Sequence, residues 1–149
     1  MIIWVDADAC PKPIKAILIR NAQKRHIDTY FIANHSVSLP PSTFLKKYQV
    51  AQGFDMADNA ILQRLQAGDI LVSQDIPLAA EAITIGAQVI TPRGERYTED
   101  NIAMALSQRN AMTALRDLGV VTGGVKAFSQ IDSKRFADNL TLLFNQHQL

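Results

Sequence analysis

Three short apolar runs punctuate this chain, and each stops at a polar loop. Residues 2–5 (IIWV), 29–33 (TYFIA) and 70–72 (ILV) are too uniformly apolar for a half-wet surface strand. They read as strands covered on both faces, the habit of a central parallel strand. Stretches of helical periodicity alternate with these strands. Parallel neighbours need a crossover, and a helix supplies it. The expected fold is therefore α/β: a three-layer, open, mostly parallel sheet with helices on both faces. All-helical and all-antiparallel readings fit the pattern poorly.

Local signals set the expected boundaries. Pro11 and Pro13 suit a loop and a first helical turn, and Ile14, Ile17 and Leu18 carry that helix to about Gln23. Residues 44–50 read as a short helical turn leading into a strand near 48–50. A helix is expected over 56–67, with Gly68 as its C′ residue, and another opens at Pro77 and stops near Gly86. A fourth strand is expected at 88–91. From Thr98, taken as an N-cap, one long helix or two joined near 108–110 run to Gly119. Thr122, Gly123 and Gly124 form a loop. A last helix, beginning near Asp132 or Ser133, buries Phe136, Leu140, Leu143 and Phe144. No repeat or linker divides the 149 residues, so one domain spanning 1–149 is expected.

Composition removes several classes. Apolar residues at 48% with charged residues at 19% exclude disorder as the main state. The single cysteine, Cys10, excludes an intrachain disulfide and a cysteine-rich zinc site. No apolar run approaches a membrane span, and the N-terminus lacks a basic leader, which points to a cytoplasmic protein. A net charge of +1 gives no ground for wholesale capture of nucleic acid, though it permits a local contact.

The acids are lopsided: eleven are Asp and three are Glu. Asp6 follows the first strand directly, with Asp8 two residues on. Asp75 follows the third run, after a hydroxyl at Ser73. In an open parallel sheet ligands sit beyond the carboxyl ends of the strands, so Asp6 and Asp75 share an edge if their strands are neighbours. Asp55 and Asp58, three apart at a helix start, present carboxylates near one side. Clustered carboxylates repel, and a hard divalent cation such as Mg²⁺ or Mn²⁺ resolves the repulsion with oxygen ligands. Such an ion orients water and neutralises charge on a phosphodiester. Each acid also has a plain structural use. Asp55 or Asp8 can cap a helix, Asp58 can favour a helix end, and Asp69 belongs to an ordinary turn.

Other residues carry weaker signals. Arg93 and Arg96 follow the fourth strand at the same expected edge and suit phosphate, or a surface ion pair with Glu95 or Glu99. Lys12 can steer an anion or simply face solvent. Gly123 and Gly124 can cradle an anion through backbone N–H groups, but no nucleotide phosphate-binding loop motif is present. Cys10 reads as a small packed residue and Trp4 as core rather than a stacking platform.

Taken together, IWVDADACP at 3–11, GFDMADNAI at 53–61 and SQDIPLAAEAI at 73–83 resemble the YaiI/YqxD-like family of uncharacterised bacterial proteins. TPRGERYTEDNI at 91–102, Arg109 and TGG at 122–124 continue the likeness over nearly the whole chain, with Val125 where that family usually has proline. The family looks like a branch of the PIN-like α/β group, whose active members are Mg²⁺- or Mn²⁺-dependent nucleases. The resemblance implies Asp6, Asp58 and Asp75 as catalytic and metal-holding acids, with Asp8, Asp55 and Ser73 supporting them. Lys12, Arg93 and Arg96 would then contact the phosphates of RNA or another structured nucleic acid. Two alternatives stand beside this: a nucleic-acid or protein-binding module without turnover, and a phosphatase using an aspartyl nucleophile, for which DADAC offers an acid pair.

Overall fold

The computed structural model describes residues 1–53, 55–120 and 127–147. Five parallel strands, β1 (Ile3–Asp6), β2 (Thr29–Ala33), β3 (Leu45–Gln49), β4 (Ile70–Val72) and β5 (Gln88–Ile90), form one sheet. A two-residue β6 (Arg96–Tyr97) pairs antiparallel with β5, and the order across the sheet is β3-β2-β1-β4-β5-β6. Five helices complete the chain: α1 (Lys12–Arg25), α2 (Met56–Arg64), α3 (Ile76–Ile85), α4 (Ile102–Asp117) and α5 (Gln130–Gln146).

Strand alternation divides the core into two layers. Ile3, Val5, Phe31, Ile70, Val72 and Ile90 point to one face, where they meet Ile14 and Leu18 of α1 and Phe136, Leu140 and Phe144 of α5. Trp4, Ile32, Leu71 and Val89 point to the other, against Ile61 of α2 and Leu78 and Ala82 of α3. Central strands covered on both faces need apolar side chains at every position, which is why the runs lack alternation. α4 packs on α3 rather than on the sheet, and none of its residues is fully buried.

Several expectations are corrected. Residues 44–50 hold no helical turn: Leu45–Gln49 is an edge strand whose exposed Lys47, Tyr48 and Gln49 disguise it. α2 ends at Arg64, three residues before the expected stop, because Leu65 turns extended, so Gly68 serves the following turn and not a helix C′. Asn101, not Thr98, stands at the N-cap of α4, its carboxamide accepting from the Thr98 N–H at 2.8 Å. α5 starts at Gln130, since Asp132 accepts from the backbone N–H of Ser129 at 3.0 Å and so closes the turn ahead of it. The 93–97 loop contains β6, and α5 passes so close that a Cβ on Gly94 would lie 2.6 Å from the Arg135–Phe136 backbone.

Asp69 is more than a turn residue. Buried at the start of β4, it accepts from the Ile2 N–H, the Trp4 Nε1–H and the Gln66 N–H, each at 3.0 Å. It ties β1 to β4 at the end opposite the acids described below. Phe54, the 122–124 loop, Val125 and residues 148–149 lie outside the described residues.

Candidate functional site

The chain lays down β1, β2 and β3 in one direction and then returns to add β4 on the other side of β1. The β1–β4 boundary is therefore the topological switch point, where departing loops diverge and leave a crevice. Asp6 is the last residue of β1, and the β4–α3 connection, Ser73 to Asp75, lies beside it. Ser73 is fully buried between them. Its hydroxyl donates to Asp6 Oδ2 at 3.1 Å and accepts from the Asp75 N–H at 3.0 Å, so one oxygen fixes both acids. Asp75 is the N-cap of α3, accepting from the Leu78 N–H at 3.1 Å through Oδ1.

The start of α2 brings the other acids. Asp55 occupies the N-cap position with a left-handed backbone (φ 60°) and makes no side-chain cap bond, which leaves its carboxylate free to face the crevice. Asp58 stands in the first turn, its carboxyl within hydrogen-bonding reach of Asp75. Two adjoining cavities, of about 260 and 210 Å³, share Asp55, Asp58 and Asp75 as lining. Asp6, Asp8, Asn34 and Met56 help to line one, and Asn59, Glu81 and Arg109 help to line the other.

The electrostatics are strained. Burial pushes the Asp6 carboxyl above its ordinary range; the Ser73 hydrogen bond opposes this, and the charges of Asp8 and Asp75 add to it. Asp58 is pushed up to about 7, first by burial, then by the charge and shared hydrogen bond of Asp75, then by Asp6 and Asp55. None of Asp6, Asp55, Asp58 or Asp75 forms an ion pair among the described residues. Such a cluster needs a proton or a cation to hold it together. No group of three His, Cys, Asp or Glu side chains among the described residues is gathered as a ready-made metal cage. Asp58 and Asp75 lie within hydrogen-bonding reach of each other, which suits an ion that keeps most of its waters and takes one or two carboxylates.

The remaining sequence candidates divide. Asp8 borders the crevice but is held by the end of β2, accepting from the Asn34 N–H and contacting His35 Nδ1 at 2.7 Å. Lys12, in the first turn of α1, lines a neighbouring pocket with Asp8, Cys10 and His35. Cys10 there is pushed up to about 12 by burial and by the Asp6 charge, so its thiol stays protonated. Arg93 is ion-paired with Asp132 at 3.0 Å, joining the β5–β6 turn to α5. Arg96 lines a separate cleft with Tyr97, Met104, Gln108 and Arg135 and borders neither acidic cavity. Of the three basic candidates, only Lys12 shares a pocket with a crevice acid, Asp8.

Arg109 is the residue that sequence reasoning left unassigned. It reaches the acidic cavity from α4. Its only local signal is helical spacing, which sets it on the same side of α4 as Ile102 and Leu106.

Comparison with known proteins agrees with this pattern. The model of the uncharacterised YaiI/YqxD family matches residues 4–146. A UPF0178 protein of Marinobacter nauticus is 55% identical over 140 residues, covering 94% of this chain and 93% of the relative. The UPF0178 protein YaiI of Escherichia coli is 50% identical over 140 residues, covering 94% and 91%. A third, from Halorhodospira halophila, is 51% identical over 140 residues, covering 94% and 93%. No solved structure matches.

Proposed function

We propose a function for this chain, which belongs to the uncharacterised YaiI/YqxD family: divalent-cation-dependent hydrolysis of a phosphodiester in RNA or another structured nucleic acid. The observation that carries the reading is the convergence of Asp6, Asp58 and Asp75 on the switch-point crevice with no ion pair to any of them among the described residues. Structural acids in a fold of this size are capped or paired, as Asp69 and Asp132 are. These three leave carboxylate oxygens facing open space. The three-layer α/β arrangement is consistent with the PIN-like group that the sequence resembles.

The chain's own residues have separable tasks. Ser73 holds Asp6 in position and, through the Asp75 N–H, keeps the loop from drifting. Asp6, Asp58 and Asp75 would hold Mg²⁺ or Mn²⁺, with Asp55 lining the same cavity. When bound, such an ion neutralises charge on the phosphodiester and orients a water. Arg109 faces the same cavity and supplies positive charge toward a phosphate; Lys12 does so from the Asp8 side. An aspartyl nucleophile is less suited to this geometry, because Asp8 is already engaged by Asn34 and His35.

The test pairs two measurements on one substrate panel of single-stranded and hairpin RNA. Wild type should cleave in Mn²⁺ and lose cleavage in chelator. Asp6→Asn keeps an oxygen for the Ser73 hydroxyl, so it should fold, bind RNA and fail to cleave. Binding by both proteins with cleavage by neither would replace this reading with that of a binding module.

A further inference from the structure

A third cavity, of about 400 Å³, opens beside the acidic crevice. Its lining includes Tyr48, Gln49, Asn59, Gln63 and Arg64, and no acid lines it. It adjoins both parts of the crevice, since Met56 also borders the Asp6 cavity and Asn59 the Arg109 cavity. The sheet register fixes its distance. Asp6 pairs with Ile32 and Ile32 with Tyr48, so Tyr48 stands two strand spacings, about 10 Å, from Asp6 along the same row.

We infer that this cavity is a nucleobase subsite, and that the substrate presents an unpaired nucleotide beside the scissile phosphate. The inference rests on reading the crevice as a phosphodiester site. Its own support is the chemistry of the lining. Tyr48 is 43% exposed on an edge strand, where a large apolar ring is left in water without gain to the core. The Arg64 guanidinium lies 4.5 Å from the ring centroid and is fixed from behind, Nη1 donating to the Ala60 carbonyl at 3.0 Å. The guanidinium covers one face of the ring, so a base can stack on the ring's other face or on the outer face of the guanidinium. The carboxamides of Gln49, Asn59 and Gln63 make no hydrogen bond to any described residue, which leaves donors and acceptors for base edges.

Charge sorts the two sites. The crevice repels a bare phosphate until a cation is present, whereas the cavity beside it offers a guanidinium, an aromatic face and neutral amides. A nucleotide therefore fits with its base toward Tyr48 and its phosphate toward Asp6 and Asp58. A base within a duplex is stacked and paired and does not reach the platform, so the expected ligand is single-stranded at this position.

The test compares binding of a five-nucleotide RNA with an abasic strand of equal length and charge, at low salt with Ca²⁺ in place of Mg²⁺ or Mn²⁺ to neutralise the crevice. Wild type should bind the base-bearing strand roughly tenfold more tightly. Tyr48→Ala should bring the two affinities together by weakening only the base-bearing strand, and Tyr48→Phe should restore the preference. Equal binding of both strands by wild type, failure to bind either, or a preference that survives Tyr48→Ala would overturn the inference. Cleavage is scored separately: a base preference without hydrolysis refutes the proposed reaction alone, and hydrolysis indifferent to the base refutes the subsite alone.

Discussion

Replacing Asp58 by Asn should stabilise the cation-free protein in alkali, with a gain that shrinks as the pH falls. In the fold this carboxyl titrates at about 7, against an ordinary value of 3.8. The folded state therefore holds the proton more tightly than the unfolded chain does. The stability this contributes is fully present below pH 3.8, is lost progressively as the pH rises to about 7, and stays lost above it. Asp58 is only half-buried, so water screens the repulsion and the loss is about 1–2 kcal/mol rather than the full linkage value. A negative charge near the start of α2 is also favourable by about 0.3–1 kcal/mol, which Asn forgoes. The net gain at pH 8.5 is about 1 kcal/mol, or roughly 2–4 °C in Tm for a chain of this length. Asn preserves the size of the side chain and donates to the Asp75 carboxylate. Calorimetric melts of both proteins in chelator at pH 5, 6, 7 and 8.5 measure the difference. A variant that melts below its parent at pH 8.5, or by the same margin at every pH, would refute the account of carboxylate repulsion.

Two further substitutions test the scaffold. Leu140 is fully buried in the α1–α5 layer, so Leu140→Ala should cost about 2–5 kcal/mol, and a melt within about 1 °C of the parent would show that the layer is not load-sharing core. Asp69→Ala leaves the Ile2 N–H, the Trp4 indole and the Gln66 N–H without their acceptor; urea denaturation should show a loss of about 2–4 kcal/mol, and an unchanged midpoint would contradict the latch.

Central strands were the legible part of this sequence. β2 and β4 coincide with the apolar runs at 29–33 and 70–72, because burial on both faces leaves no room for polar residues. β3 was hidden by the same physics in reverse: at the edge, with one neighbour, LKKYQ tolerates charge and loses the apolar signature. The acids were legible because strand ends and helix starts are marked by pattern, which placed Asp6, Asp58 and Asp75 together. The arginines were not, since their long side chains are directed by tertiary packing. Arg93 turns to Asp132 across 39 residues, and Arg109 arrives from a helix whose docking on α3 no local signal encodes.

The central claim is that the acids of this crevice assemble around a divalent cation, and a melt in Mn²⁺ tests it most directly. Asp75→Asn keeps the cap on α3, so the cation-free fold should survive. At a hundred times its Kd, Mn²⁺ should stabilise wild type by about 2.7 kcal/mol, because it binds the assembled acids and not the separated ones. Asp75→Asn should lose most of that shift. Equal shifts in the two proteins, or none in wild type, would contradict the claim.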